Sequence, residues 1–189
     1  MKYDLNKKQS LGAKRTLDTF SKTLFLLLTK KAFEKINVNE ICSTASIPRA
    51  TFYNYFEDKY DLMNYCWYTL TLEIHLEDYK EIAPENRIHI FFDRMCDLLI
   101  KNQPLIQEII KNNPENSWLL YHFRSYFYEI ALNLFHEYPN ASSYNIPAEI
   151  MANHYCNTIL LIFEWSFFHN KNITKKEAHK YLQALLNLN

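Results

Sequence analysis

The sequence predicts an all-α fold, and three observations lead to that class. The 189 residues contain one glycine, Gly12, and six prolines, whereas β-sandwiches and barrels need many glycine turns. Apolar residues make up 48% of the chain, so it can bury a sizeable core. Between the prolines, apolar residues recur at helical spacing, as in Leu17, Phe20, Leu24 and Leu27. We therefore expect about nine helices.

The prolines and the capping residues define the expected helices in order. Prolines end helices or open them, so each segment between them is taken as one or two helices. Asn37 with Glu40 and Thr174 with Glu177 have the spacing of a capping box, and Asp58 is a good N-cap. The expected helices cover roughly 13–31, 38–45, 49–55, a segment from 59 onward, 85–101, 104–111, 115–137, 148–169 and 174–187.

The composition argues against several classes of chemistry. One glycine leaves no glycine-rich phosphate loop. The histidines and cysteines lack the spacing of a metal site, and no acidic pair or Ser–His–Asp order suggests catalysis. We expect no metal, no cofactor and no enzyme activity. The four cysteines, Cys42, Cys66, Cys96 and Cys156, are at least 24 residues apart and lie among apolar neighbours, as reduced core thiols do.

Charge and hydropathy indicate where the chain meets its partners. Residues 1–63 hold 11 basic and 7 acidic side chains, and residues 64–189 hold 10 and 14. A basic head on an acidic body suggests that only the head meets a polyanion. The longest run without charge, 150–163, has 14 residues and is too short to span a bilayer. We expect a cytoplasmic protein without a membrane partner.

The most informative stretch is 35–62. Two short helices meet at the turn Ala45-Ser46-Ile47-Pro48, with a small shared core of Ile41, Cys42, Ala45, Ile47, Phe52 and Phe56. This is the pattern of a helix-turn-helix, whose second helix lies in the major groove of DNA while the first crosses the backbone.

The outward side of the second helix carries residue types that suit double-stranded DNA. The guanidinium of Arg49 suits guanine or a phosphate, and the amide of Asn54 suits adenine. Ala50 and Thr51 suit the thymine methyl group. A phosphate is favoured at Lys59, where an ammonium group and a helix N-terminus coincide. Lys14 and Arg15 are placed to grip the flanking backbone. The expected contacts to the DNA backbone are Lys14, Arg15, Tyr53, Tyr55 and Lys59, and Asn39 is a further expected DNA contact.

The same stretch resembles the DNA-binding domain of the TetR family of transcriptional regulators. Residues 51–62 fit the family signature TFYxYFxxKxxL at seven positions, from Thr51 to Leu62. The resemblance implies a DNA-binding domain at 1–60 that is continuous with a helical effector-binding and dimerisation domain at 61–189. Two departures stand out, because Ser46 and Ala32 replace glycines that the family commonly has.

The helical body is dense in aromatic residues, and we expect some to line a pocket for a small apolar or aromatic effector. The candidate polar markers of that pocket are Arg94, His122, Tyr126, His154 and Tyr155. The helix 148–169 is apolar nearly all round, so it needs cover on both sides, either from a second copy of the chain or from its own body. The candidate dimer contacts are Ile159, Ile162, Trp165, Ser166, Tyr181, Leu182 and Leu185.

The sequence thus predicts a homodimeric DNA-binding regulator that acts on a near-palindromic operator. The resemblance implies that an effector in the body modulates DNA affinity and that repression is the default, with activation or coactivation left open. Two alternatives remain at this point. One is a regulator controlled by a partner protein, and the other is a helical scaffold that has lost DNA binding.

Overall fold

The computed structural model describes residues 10–135, 146–169, 171 and 173–186. Within these residues the fold is all-helical, without strands, as predicted. A 3-10 turn lies at Phe33–Lys35 and another at Leu76–Glu81, and a π-helical turn at Glu164–Phe168 follows α8. The nine α-helices of these residues are α1 Leu11–Leu28, α2 Val38–Ala45, α3 Arg49–Tyr55, α4 Lys59–Glu73, α5 Pro84–Lys101, α6 Gln103–Asn112, α7 Trp118–Phe135, α8 Ala148–Phe163 and α9 Lys175–Leu186.

Three helices differ from the prediction by two residues or more at a described end. Helix α1 begins at Leu11, because Ser10 caps it by accepting a hydrogen bond from the Ala13 N–H. The same helix ends at Leu28. Helix α7 begins at Trp118 rather than at 115, because residues 114–117 form a turn. The predicted helix 148–169 becomes π-helical after residue 163, where the His169 N–H bonds to the Glu164 carbonyl. Residues 136, 137 and 187, which were predicted to be helical, lie outside the described residues.

The capping predictions for α2 and α9 have different outcomes. Asn37 caps α2 through a 3.0 Å bond from the Glu40 N–H, but the predicted return bond from Glu40 is wrong. Its carboxylate instead pairs with the Lys31 ammonium at 2.6 Å. Both halves of the box form at α9, where Thr174 and Glu177 bond reciprocally at 2.8 and 3.2 Å. Each cap satisfies N–H groups that the first helical turn leaves unpaired.

The chain divides into two compact units. Among the described residues, the first comprises 10–70 and 108–120, and the second comprises 71–107, 121–135 and the residues from 146 onward. The predicted boundary after residue 60 stays a prediction. The first unit buries Leu17, Phe20, Ile41, Phe52 and Phe56 completely, which places its core beneath the helix-turn-helix.

The second unit has an aromatic core. Phe92 of α5 stacks on Phe163 of α8 at 5.0 Å, and Phe127 of α7 lies 5.3 Å from Phe91 and 5.8 Å from Phe163. Rings that meet in this way bury much apolar area and fix the relative rotation of their helices. No helix in the described part of the chain combines the length and the apolar character needed to cross a bilayer.

All four cysteines are buried and none is in a disulfide, which confirms their predicted place in the core. Burial raises the pKa of the Cys66, Cys96 and Cys156 thiols to about 12. At neutral pH these groups are therefore protonated, and their role in the structure is that of small apolar side chains.

Candidate nucleic-acid interface

The turn between α2 and α3 is a left-handed C-cap built without glycine. Ser46 has φ 55° and ψ 37°, the conformation that glycine adopts most easily. The Ile47 N–H bonds to the Cys42 carbonyl at 3.0 Å and the Ser46 N–H bonds to the Ser43 carbonyl at 3.2 Å. These bonds satisfy the last carbonyls of α2. A non-glycine residue in this conformation costs roughly 1 kcal/mol, so the turn keeps the expected geometry at a small cost in stability.

The inward side of α3 fixes how the helix is presented. Phe52 is fully buried, with its ring centre 5.3 Å from Phe20 of α1 and 5.3 Å from Phe56. Ile41 and Cys42 of α2 are buried as well, whereas the predicted core members Ala45 and Ile47 are only partly buried. The aromatic contacts prevent α3 from rolling, so its opposite side faces solvent.

The outward side of α3 exposes most of the residues predicted to read DNA. Arg49, Ala50, Tyr53 and Asn54 are exposed, and Thr51 and Tyr55 are partly buried. Arg49 is the first residue of the helix, the end that reads base edges in helix-turn-helix proteins. The guanidinium and the amide of Asn54 are thus both available to a major groove.

Arg49 is paired with Tyr53 one helical turn further on. Its Nη2 donates to the Tyr53 hydroxyl at 3.3 Å, and its guanidinium carbon lies 5.7 Å from the ring centre. This contact restricts the guanidinium while leaving it exposed. Restricting a long side chain before binding reduces the entropy lost when it docks on a base.

Lys59, the first residue of α4, has a different environment from the predicted phosphate site. Its ammonium donates to the backbone carbonyls of Phe33 at 2.9 Å, Glu34 at 3.0 Å and Ile36 at 2.8 Å. All three of its N–H groups therefore have protein acceptors. Desolvation lowers the pKa of this amine, with opposing contributions from Glu34 and Asp58. In this geometry Lys59 braces the segment before α2, and its contact with a phosphate stays a prediction.

A second support of the same segment comes from the α6–α7 connection and was missed by the sequence analysis. Asn113 is fully buried, and its Oδ1 accepts the Phe33 N–H at 2.8 Å while its Nδ2 donates to the Leu28 and Ile109 carbonyls. Trp118 stacks on the Phe33 ring at 4.5 Å. The only sign of this role in the sequence is the polar pair Asn112 and Asn113 before Pro114. Such a pair is equally typical of a helix end.

The remaining predicted DNA contacts lie on α1 and α2. Lys14 and Arg15 are exposed in the first turns of α1. Asn39 is exposed on α2 and lines an open depression beside the turn, together with Ser43, Ser46 and Arg49. The structure thus brings Asn39 near Arg49. Contact between any of these residues and DNA stays a prediction.

Comparison with known proteins identifies this arrangement. Residues 25–66 match the family model of bacterial regulatory proteins, tetR family. The segment that contains α2 and α3 is therefore similar to that family. The chain is 29% identical over 122 residues to the HTH-type dhaKLM operon transcriptional activator DhaS of Lactococcus lactis subsp. lactis (strain IL1403). That match covers 61% of this chain and 59% of the length of the relative.

Solved structures share the fold over nearly the whole chain. A putative TetR-family transcriptional regulator from Syntrophomonas wolfei str. Goettingen has a TM-score of 0.68 at 17% identity. The match covers 93% of this chain and 95% of that chain. The dihydroxyacetone kinase operon activator DhaS has a TM-score of 0.60 at 20% identity, with 91% and 94% covered. The regulator FadR from Bacillus subtilis, solved in complex with stearoyl-CoA, has a TM-score of 0.66 at 14% identity, with 91% and 98% covered. At these identities the likeness concerns the fold.

The five TetR-type pocket residues predicted in the body have different surroundings. Arg94 donates to the carbonyls of Ile74 at 3.1 Å and His75 at 2.7 Å, the two residues that follow α4. Tyr155 is buried and His154 is exposed, although their rings lie 5.9 Å apart. His122 and Tyr126 are partly buried on α7. The pocket role of all five residues stays a prediction.

Four of the seven predicted dimer contacts are corrected by their burial. Ile159, Ile162, Ser166 and Leu182 are at most 3% exposed within the single chain, so no surface remains on them for a partner. For Ile159 and Ile162 the periodicity of α8 explains the error, because that helix is apolar on both sides and the sequence does not show which side faces outward. The exposed apolar side chains of this region include the other three predicted contacts, Trp165, Tyr181 and Leu185, and also Leu161, which was missed.

Proposed function

We propose that this TetR-family transcriptional regulator is a homodimer that binds a near-palindromic operator through α3. One observation carries the proposal. Burial of Phe52 and Phe56 leaves Arg49 and Asn54 exposed on the same helix. An arginine suits guanine and an asparagine suits adenine, so the half-site is expected to contain both bases.

The dimer of this proposal forms through the outward side of α8 and α9. Leu161, Trp165, Tyr181 and Leu185 are 39–59% exposed, and the Trp165 and Tyr181 rings meet edge to face at 5.8 Å. A two-fold axis through such a surface repeats the same contacts on both copies. A palindromic operator requires the two α3 helices of this dimer to lie about one turn of DNA apart, ~34 Å.

The proposed effector is a small apolar or aromatic molecule bound in the second unit. The proposal rests on the aromatic character of this unit, with Phe91, Phe127 and Phe163 in contact, and on the partly buried polar groups of His122 and Tyr126 on α7. FadR of similar fold was solved with stearoyl-CoA, which makes long-chain acyl thioesters a rational first class to screen. An effector changes DNA affinity only if it binds the two states of the dimer with different affinity.

The direction of regulation is proposed to be repression by default. The relative DhaS is named as an activator, so activation is the alternative direction to test. We expect no enzyme activity and a cytoplasmic location. The direction is tested by reporter expression with and without the chain, using the promoter beside its own gene.

The central test measures binding of that promoter fragment and of a scrambled fragment at two salt concentrations. The intact chain should prefer the promoter and bind more weakly as salt rises, because phosphate contacts release counterions. Arg49→Ala should weaken promoter binding roughly tenfold to a hundredfold. Lys176→Ala, which removes an exposed cation from α9, should leave binding unchanged.

Each outcome separates the proposal from its alternatives. Equal binding of both fragments by a folded dimer would support the helical scaffold that has lost specific DNA recognition. If the chain binds selectively and no acyl thioester, fatty acid or aromatic compound changes its DNA affinity, control by a partner protein is favoured. Arg49→Ala with unaltered promoter affinity would contradict the assignment of α3 as the reading helix.

A further inference from the structure

Two histidine rings stack where α5 and α9 pack together in the second unit. The centres of His89 and His179 lie 5.1 Å apart with ring planes 23° from parallel. Phe92 packs edge-on against His179 at 6.0 Å and stacks on Phe163 behind it. The proposed DNA and effector contacts use neither imidazole.

The two imidazoles are not equivalent as proton acceptors. His179 Nδ1 lies 2.9 Å from Asp93 Oδ1, so a proton on His179 faces a carboxylate. His89 Nδ1 is buried and has no hydrogen-bond partner among the described residues. Desolvation lowers the pKa of His89, the neighbouring His179 lowers it further, and Asp93 opposes both.

The other charged groups at this contact are already matched. Asp97 of α5 pairs with the Lys175 ammonium of α9 at 2.7 Å. The nearby Cys96 thiol has a pKa raised to about 12 by burial and is neutral. Two carboxylates from α5 thus face one ammonium and one imidazole from α9. An imidazolium on His89 would face His179, while both carboxylates are already paired with other groups.

We propose that the His89–His179 stack makes the docking of α9 on α5 acid-sensitive. When α9 is detached, His89 is hydrated and takes up a proton near its ordinary pKa of about 6.5. When α9 is docked, burial and the neighbouring His179 disfavour protonation of His89. The detached state therefore binds more protons. Docking is therefore strongest above about pH 6.5 and weakens as the pH falls below that value. Because α9 carries Tyr181 and Leu185, the effect would extend to the proposed dimer.

The test is amide hydrogen exchange of α9, compared between pH 7.5 and pH 5.5 after correction for the intrinsic exchange rate. In the intact chain the opening equilibrium of residues 178–186 should rise by up to about tenfold at the lower pH. His89→Phe keeps a ring in the stack but takes no proton, and its opening should change less than twofold. His169→Phe, at an exposed histidine, should respond like the intact chain.

Two results would overturn the proposal. One is the same acid-induced opening in His89→Phe and in the intact chain. The other is an NMR titration of His89 in the intact chain with a midpoint at or above the ordinary histidine value. The titration needs no variant, so it decides the matter even if His89→Phe does not fold. Neither measurement involves DNA, and both are therefore independent of the proposed operator binding.

Discussion

The Lys59 ammonium lies 2.9 Å from the Phe33 carbonyl oxygen and 4.7 Å from the centre of the Phe33 ring. Phe33 precedes α2 and Lys59 follows α3, so this contact joins the two ends of the helix-turn-helix. The ammonium also bonds to the Glu34 and Ile36 carbonyls. A single side chain thereby closes the motif, and the cation–π contact with Phe33 adds to the hydrogen bonds.

Replacing Lys59 by methionine should destabilise the chain. The variant keeps much of the aliphatic stem but leaves three backbone carbonyls without their charged donor. We expect a loss of about 2 kcal/mol in the free energy of unfolding, measured by urea denaturation at neutral pH. Lys22→Met, at an exposed lysine of α1, should change it by less than about 0.5 kcal/mol.

The same Lys59 variant distinguishes the brace from the phosphate contact expected from the sequence. A lysine that neutralises a phosphate contributes about one unit to the slope of log affinity against log salt. If Lys59 stays on its three carbonyls when DNA binds, Lys59→Met and the intact chain should have equal slopes. A slope reduced by about one unit would restore the phosphate role.

The buried Asn113 should contribute more to stability than its neighbour Asn112. Asn113 makes three bonds to backbone groups at Phe33, Leu28 and Ile109, whereas Asn112 donates one bond to the Thr29 carbonyl. Asn113→Ala leaves buried groups unpaired and should cost about 3 kcal/mol, against about 1 kcal/mol for Asn112→Ala. Equal losses in thermal unfolding would show that the buried amide does not brace the segment.

Glycine at position 46 should stabilise the protein, because Ser46 is held in the left-handed region at φ 55°. Relief of the side-chain clash outweighs the greater freedom of glycine in the unfolded chain, for a net gain of about 0.5–1 kcal/mol. Ser43→Gly is the matched control, because residue 43 lies within α2 and glycine there should destabilise by a similar amount. Chemical denaturation of both variants should therefore give changes of opposite sign.

The helix-turn-helix was predictable because its information is local. The bounds of α2 and α3, the turn and the exposure of Arg49 and Asn54 follow from spacing and residue type within 28 residues. The roles of Lys59 and Arg94 were not predictable, because their acceptors are carbonyls that lie 19–26 residues away. The sequence gives no sign of which carbonyls a folded chain leaves unpaired.

Long-range pairs set the second limit. Asn113 and Phe33 are 80 residues apart, and His179 and Asp93 are 86 apart. The apolar pattern of α8 predicted that two sides of the helix are covered. It did not show which of them packs against the rest of the same chain. The buried Ile159 and Ile162 and the exposed Leu161 are neighbours in one apolar run, so only the packing of the other helices distinguishes them.

The outward side of α8 and α9 should set the dimer affinity. Leu161→Glu and Leu185→Glu place a carboxylate on side chains that are 59% and 48% exposed, so they should leave the monomer folded. Burying an apolar side chain of this size is worth about 1.5–3 kcal/mol. Each variant should therefore raise the dimer dissociation constant at least tenfold, as measured by analytical ultracentrifugation without DNA.

Two controls make the assignment of that side specific. Leu26→Glu adds the same charge at a leucine of α1 that is 47% exposed, and dimer affinity should not change. Ile159→Ala removes a fully buried side chain of α8 and should cost about 2–4 kcal/mol of stability without acting on the dimer contact directly. Since Ile159 is inside the chain and Leu161 is on its surface, the two variants should separate unfolding from dissociation. If both glutamate variants have the same dimer dissociation constant as the intact chain, this surface is not the dimer interface.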